Sequence, residues 1–403
     1  MRLFNTLSQE IEPLAPVSDA VTLYVCGITP YDTTHLGHAF INVIYDSLVR
    51  YLRWRGIGVR YVQNVTDIDD DILRKAREEG VAWDELGKRE TERYLSDLRA
   101  LNVAMPDYYV AASNETAMMI DLITVLLEKG LAYTRDGWIY FSVKRDPDFG
   151  KLANAAGYVG YENWLTTANE RGNNPNDPRK DDPLDFVLWQ AQQPGEPAWP
   201  SPWGPGRPGW HIECSAIVVK YLGPRIVIHG GGADLVFPHH TCEIAQSENA
   251  TGERPFVRTW MHCAMVRLDG EKMSKSLGNL VLVRNLLPEY TADAVRVMLL
   301  SHHYHKEWEY TVEDMRAAAA LAERLAAAVR HTPDGTEETD AEDSDALARQ
   351  ARLEFVAALE DDFQTQRAVQ ALDRLAASVT ATHSPSQARM LRTLAGVLGL
   401  TLA

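Results

Sequence analysis

The chain has 403 residues, 45% of them apolar and 24% charged, with a formal net charge of −16. That length argues for two or three packed units, and the composition excludes a collagen-like, wholly disordered or membrane-spanning chain. The negative field opposes general nucleic-acid binding, so any such partner would need a local basic patch.

In chain order, Val21 to Cys26 is a short apolar run suited to a buried strand. Leu36 to Arg55 then shows helical spacing, with Phe40, Val43, Ile44, Leu48, Tyr51 and Leu52 on one face. Gly56 stops it, and Val59 to Val62 reads as a second strand. Strand, crossover helix and strand imply a parallel sheet with right-handed connection. Thr116 to Lys129 is predicted helical and ends at Gly130. Residues 155 to 210 are rich in Gly, Pro, Asn and Trp and read as long ordered loops. Arg225 to His229 is a further strand candidate, followed at once by Gly230, Gly231 and Gly232, with a helix starting near His239. From Glu313 to Arg330 alanine and leucine dominate. Residues 331 to 345 carry seven acids and no Lys or Arg, the pattern of a solvated loop between helices. Helical spacing resumes to about Leu398, and an antiparallel bundle of some four helices is the simplest arrangement.

Two short motifs stand out. His35-Leu36-Gly37-His38 sits after the first strand at a helix start, where free N–H groups and the helix dipole favour a phosphate. Lys272-Met273-Ser274-Lys275-Ser276 places two lysines in a Gly-flanked loop, where they can neutralise a triphosphate. Each alone reads as readily as capping histidines or a solvated basic turn. A third set is metal-like. Cys26 ends the first strand, Cys214 follows Trp210-His211-Ile212-Glu213, and His239 and Glu243 are one helical turn apart. Thiolate, imidazole and carboxylate suit Zn²⁺. Spacing alone leaves open two small buried cysteines and a satisfied histidine. Four cysteines in such a chain are too few for a disulfide scaffold, and the first ten residues lack a signal-like apolar run, so a cytoplasmic setting is expected.

Together the paired motifs, in this order on a Rossmann-like scaffold, resemble the class I aminoacyl-tRNA synthetases. The second matches KMSKS in full, and the first departs from HIGH only at Leu36. Further phrases resemble the cysteine-activating members: Cys26 to His38, Asn64-Val65-Thr66-Asp67-Ile68-Asp69-Asp70, Gly206 to Ala216, His229 to Asp234 and Phe237-Pro238-His239-His240. Two such groups share them, cysteinyl-tRNA synthetases and the mycothiol-pathway ligases that join cysteine to glucosaminyl-inositol. The resemblance implies an α/β fold: a Rossmann-like catalytic domain over 1–310, with an inserted connective region at about 105–205 and a KMSKS-bearing stem-contact region at about 265–310. A helical bundle over 311–403 follows, with no separate anticodon-binding domain. It implies one Zn²⁺ per chain on Cys26, Cys214, His239 and Glu243, with Cys26, Gly27, Thr66 and Trp210 around the substrate cysteine. It places Thr29, His35, His38, His229, Gly230, Gly231, Gly232, Asp234, Lys272, Met273, Ser274, Lys275 and Ser276 around ATP, with Mg²⁺ expected. His35, His38, Lys272 and Lys275 would serve catalysis.

The resemblance thus implies ATP-dependent formation of cysteinyl-adenylate, with no membrane partner. The acceptor is expected to be a small amino sugar, giving an amide. Residues 346 to 403 hold six arginines against five acids, a weak grip for an anticodon stem. His303-Tyr304 with Trp308, and Glu170-Arg171-Gly172 before a Pro-rich loop, also resemble the ligases. The alternative is a cysteine–tRNA ligase lacking the anticodon domain. Glu243-Ile244-Ala245-Gln246-Ser247-Glu248 and Asp361-Asp362-Phe363 resemble that group. A non-catalytic nucleotide-binding paralogue is a third reading.

Overall fold

A computed structural model describes residues 1–14, 20–31, 34–273, 278–331 and 345–403, the side chain of Lys272 excepted. A hairpin, β1 (Arg2–Asn5) and β2 (Glu10–Pro13), comes first. The βαβ unit expected from the apolar spacing follows as β3 (Ala20–Ile28), α1 (Leu36–Trp54) and β4 (Gly58–Val65). Helices α2 (Asp70–Glu79) and α3 (Trp83–Ala100) lead to β5 (Tyr108–Ala111). Next come α4 (Thr116–Glu128), β6 (Ala132–Arg135), β7 (Trp138–Phe141), α5 (Lys151–Ala155), α6 (Tyr161–Glu170), β8 (Phe186–Ala191) and β9 (Gly206–Pro208). The chain then returns through α7 (Trp210–Leu222), β10 (Ile226–Gly232), α8 (Thr241–Thr251) and β11 (Val257–Cys263). It goes on through β12 (Val266–Leu268), β13 (Glu271–Lys272), α9 (Val283–Leu286), α10 (Ala292–Leu300) and β14 (Trp308–Glu309). Four longer helices close the sequence of elements: α11 (Val312–Arg330), α12 (Ala346–Glu360), α13 (Thr365–Thr382) and α14 (Pro385–Val397).

The central sheet has the order β11-β10-β3-β4-β5, with every neighbouring pair parallel. From β3 the chain crosses to β4 on one side, while β10 lies on the other. The strand order therefore reverses at β3, and ligands in such sheets bind beyond the carboxyl ends of the strands at that point. Helix α1 starts there because His35 caps it, Nδ1 accepting from Gly37 N at 3.0 Å. It ends where Gly56 takes φ 76°. Strands β6 to β9 form a separate antiparallel sheet in chain order, and β9 delivers the chain straight into α7.

Helices α11 to α14 pack as a bundle. One apolar cluster runs from Val43 and Leu48 through Val297 to Leu325, Phe355, Leu372 and Leu391, so bundle and sheet helices share a core. Arg296 is wholly buried in that junction. It donates to Asp46 Oδ2 at 2.6 Å, Leu101 O at 2.9 Å and Leu398 O at 2.6 Å. Removing one partner of a buried ion pair strands the other charge, at a cost of ~3–5 kcal/mol. Asp46→Ala is therefore expected to lower unfolding stability by about that much; a denaturant midpoint matching the unsubstituted protein would contradict it. Among the described residues no helix is long and apolar enough to cross a membrane.

The structure departs from the sequence-based expectations in several places. The second strand runs on to Val65. The strand expected to close at His229 runs on through the glycines to Gly232, where Gly230 to Gly232 pair with Met261 to Cys263. Glycine is needed at position 230 because a Cβ there would meet the Tyr45 hydroxyl at 2.2 Å. The helix expected near His239 begins at Thr241, after a π-turn over Val236–His240. The stretch read as loops contains α6, β8 and β9; the apolar run Phe186-Val187-Leu188-Trp189 was its strand signal. Most of the acidic run lies outside the described residues.

Candidate active site

Strand β3 ends by carrying Cys26 and Gly27 to the edge of the crevice. Gly27 is required by close approach: its N donates to Asn64 Oδ1 at 2.8 Å, and a Cβ there would stand 1.6 Å from Asn64 O. Helix α7 supplies Cys214. The π-turn supplies His239 and α8 supplies Glu243. These four are buried and their donor atoms all lie within 4.8 Å of one another.

The distances test the donor set. Cys26 Sγ is 3.8 Å from Cys214 Sγ and 3.7 Å from Glu243 Oε1. His239 Nε2 is 3.4 Å from Cys214 Sγ and 3.2 Å from Glu243 Oε1. Tetrahedral zinc with bonds of ~2.0–2.3 Å has ligand–ligand edges of ~3.3–3.8 Å. The pocket is thus the right size for that ion. Burial first, then the neighbouring sulfur and carboxylate, pushes the Cys26 thiol up, and burial does the same to Cys214. Without a cation both would stay protonated at neutral pH. Burial also keeps His239 neutral, the form that binds metal.

A second layer holds the first. His239 Nδ1 faces His211 Nδ1 at 2.9 Å, and Trp210 stacks on the His239 ring with centroids 4.3 Å apart. His229 Nε2 pairs with Glu243 Oε2 at 2.9 Å. Cys26 Sγ also faces His240 Nε2 at 3.3 Å, and His240 Nδ1 pairs with His262 Nε2 at 2.8 Å. Cys26, His229, His240 and Glu243 make an overlapping candidate set. The set with both thiols is the better one. It leaves His229 and His240 as hydrogen-bond partners of the donors, whereas the other would strand Cys214 and His239. Cys242 belongs to neither set.

Above Cys26 opens a cavity of about 980 Å³. Cys26, Gly27, Thr29, His35, His38, Trp210, Gly232, Asp234 and Met273 all line it. His35 and His38 stack with centroids 3.8 Å apart. Cys214, His239 and Glu243 lie behind its floor, so Cys26 is the one member of the donor set on the wall. His229, Gly230 and Gly231 are buried in β10 rather than lining the cavity. Thr66 is buried behind it, where its hydroxyl accepts from Asn64 Nδ2 at 3.2 Å. Ser274, Lys275, Ser276 and the Lys272 side chain lie outside the described residues. The chain just beyond them is tied to the first motif: Leu36 N donates to Val281 O at 2.9 Å and Val283 N to Thr34 O at 3.1 Å.

Sequence reasoning gave no role to His211, His240, His262 or Asp69. Asp69 lines the cavity and caps α2, and burial raises its carboxyl to about 6. The pair His239-His240 was the visible signal for a histidine cluster; nothing local marked His262 as its partner.

The family model described as tRNA synthetases class I (C) catalytic domain matches residues 13–320. The chain belongs to this family. It is 46% identical over 95% of its length to an L-cysteine:1D-myo-inositol 2-amino-2-deoxy-alpha-D-glucopyranoside ligase of Parafrankia sp. (strain EAN1pec), covering 83% of that protein. It is 44% identical over 99% of its length to a cysteine--tRNA ligase of Laribacter hongkongensis (strain HLHK9), covering 85% of it. A Mycobacterium tuberculosis methionyl-tRNA synthetase in complex with methionyl-adenylate superposes with a TM-score of 0.63 over 94% of this chain and 90% of that one. At 16% identity that likeness concerns the class I fold alone.

Proposed function

We propose that this protein is a cytoplasmic enzyme that activates L-cysteine with ATP and transfers it to the amine of a glucosaminyl-inositol. The observation that carries the reading is the zinc-sized set Cys26, Cys214, His239 and Glu243 opening through Cys26 into the cavity that holds His35 and His38. When bound there, Zn²⁺ would favour the substrate's thiolate over a serine hydroxyl, a distinction that size alone makes poorly. Gly27, Thr66 and Trp210 would surround the substrate cysteine. Thr29, Gly232, Asp234 and Met273 would meet ATP from the wall, and His229, Gly230 and Gly231 would support that wall from β10.

In the first step the cysteine carboxylate attacks the α-phosphorus and pyrophosphate leaves. No side chain need act as nucleophile, so the residues work by position and charge. His35 and His38 would donate to the phosphates at the start of α1, with Lys272 and Lys275 stabilising the transition state and Ser274 and Ser276 flanking them. Mg²⁺ would accompany ATP. In the second step the acceptor amine attacks the carbonyl of cysteinyl-adenylate. AMP leaves and an amide forms. We assign both steps to residues 1–310 and treat the inserted 105–205 region as the far wall of the cavity.

That wall supports the amino-sugar reading. Asn173, Asn174 and Gln190 line the same cavity as Trp138 and Phe149, and a wall of amides and aromatic rings suits a polyhydroxylated ring. The cysteine–tRNA ligase reading stays in play through the relatives of that name and through Glu243 as a fourth donor.

The test is cysteine-dependent ATP–pyrophosphate exchange in zinc-replete protein, followed by labelled cysteine offered to glucosaminyl-inositol and, separately, to deacylated cysteine tRNA. Exchange with label on the amino sugar is the expected result. Label on tRNA alone would favour the second reading, and no exchange at all would sink both.

A further inference from the structure

Away from that cavity, three other donors converge where three segments meet. The strap after α10 brings His303 and His305, and the turn between α12 and α13 brings Asp362. Their donor atoms all lie within 4.8 Å of one another. The two oxygens of Asp362 do different things. Oδ1 is committed to the fold: it accepts from Phe4 N at 2.8 Å and from the Tyr304 hydroxyl at 2.7 Å. Oδ2 instead faces His303 Nε2 at 3.4 Å and His305 Nδ1 at 3.5 Å.

Those two distances are long for hydrogen bonds, which cluster near ~2.7–3.2 Å. They match the ~3.3–3.5 Å edge expected between nitrogen and oxygen donors about a tetrahedral first-row ion. His305 Nδ1 has no hydrogen-bond partner despite pointing at the carboxylate, and His303 Nδ1 is buried without one. The rings are held in place, His305 against Phe4 with centroids 4.6 Å apart and His303 against Tyr304 at 5.0 Å. Asp362 and His303 are nearly closed off from solvent, at 6% and 8% side-chain exposure, while His305 at 25% leaves a way in.

We propose that His303, His305 and Asp362 form a second metal site that takes a divalent first-row ion of the Zn²⁺ class, with water completing the coordination. Two imidazoles and one carboxylate, with no sulfur, make it weaker and harder in character than the thiolate site. None of the three residues lines the active-site cavity. The site is therefore a clasp and not a catalytic centre. It joins the strap before β14 to the bundle turn, and through Asp362 Oδ1 it also holds β1. An ion bound only by the folded chain stabilises it by mass action.

The test uses the full chain with its thiolate site already filled with zinc, titrated with Co²⁺. One further equivalent is expected, giving d–d absorption without sulfur-to-cobalt charge transfer, and a rise in Tm on saturation. His305→Gln should weaken that uptake at least ~100-fold, beyond the 10–100-fold typical of losing a supporting partner. Asp362→Asn keeps an Oδ1 acceptor for Phe4 N and Tyr304, and so isolates loss of the ligating charge from loss of the fold's own hydrogen bonds. It should abolish the Tm rise while circular dichroism stays native. No further uptake by the unsubstituted protein would overturn the proposal. So would uptake unchanged in both variants, or charge-transfer bands that place the added cobalt on thiolates.

Discussion

Cys214→Ala is expected to strip the tightly held zinc from about one ion per chain to a small fraction, and to cut cysteine-dependent exchange at least ~100-fold. Donor geometry sets the size of the effect. Cys214 Sγ sits 3.8 Å from Cys26 Sγ and 3.4 Å from His239 Nε2, so its loss opens one corner of the set. The remaining donors cannot close the gap. Cys26 is fixed at the end of β3, and His239 is held between Trp210 and His211. Cys242→Ala is the matched control. That thiol is just as buried but belongs to neither candidate set, so the variant should keep its zinc. Metal analysis after dialysis reads both variants. Full zinc in the Cys214 variant would mean that the site is misplaced.

Gly27→Ala should be the most damaging single methyl addition near the site. A Cβ at that position would stand 1.6 Å from Asn64 O and 2.6 Å from Asn64 C. The obstacle is backbone of β4, which cannot swing aside as a flexible side chain can. Either β3 and β4 part or the chain around Cys26 shifts. Overpacking of this kind costs ~1–3 kcal/mol, and a displacement of about 1 Å in a reacting group costs ~10²-fold in rate. The variant is expected to lose ~3 kcal/mol of stability and ~10²-fold in cysteine activation. Urea unfolding and pyrophosphate exchange would measure the two effects, and near-normal values for both would show that the crevice edge is far more pliable than its contacts imply.

The sequence was informative wherever a pattern was local. The βαβ unit was legible because Leu36 to Arg55 has helical spacing between two apolar runs, and α4 because Gly130 closes it. Residues 186 to 189 were harder, since one short strand inside a Gly- and Pro-rich stretch offers little periodicity. The β10 glycines hid the strand's end for a physical reason: glycine weakens a strand, and the ladder to Met261, His262 and Cys263 that carries them on is a long-range pairing. The donor set was readable only through resemblance to a family. Cys26 and Cys214 are 188 residues apart, and no spacing rule reaches that far. Among the histidines behind the donors, His262 was out of reach for the same reason. His262 on β11 meets His240 of the π-turn, a contact that composition does not reveal.

The buried Arg296 has a bearing on how the protein is made. Its partner Asp46 precedes it by 250 residues, so that carboxylate is already outside the ribosome when Arg296 emerges. The Leu398 carbonyl is 102 residues further on and has yet to be synthesised. Until it arrives, one face of a guanidinium destined for the interior has only water to bond to. Final closure of the α1–α10 junction is thus deferred until the α14 region has been translated. The nascent chain must carry a hydrated cation at the centre of its future core through roughly a quarter of its synthesis.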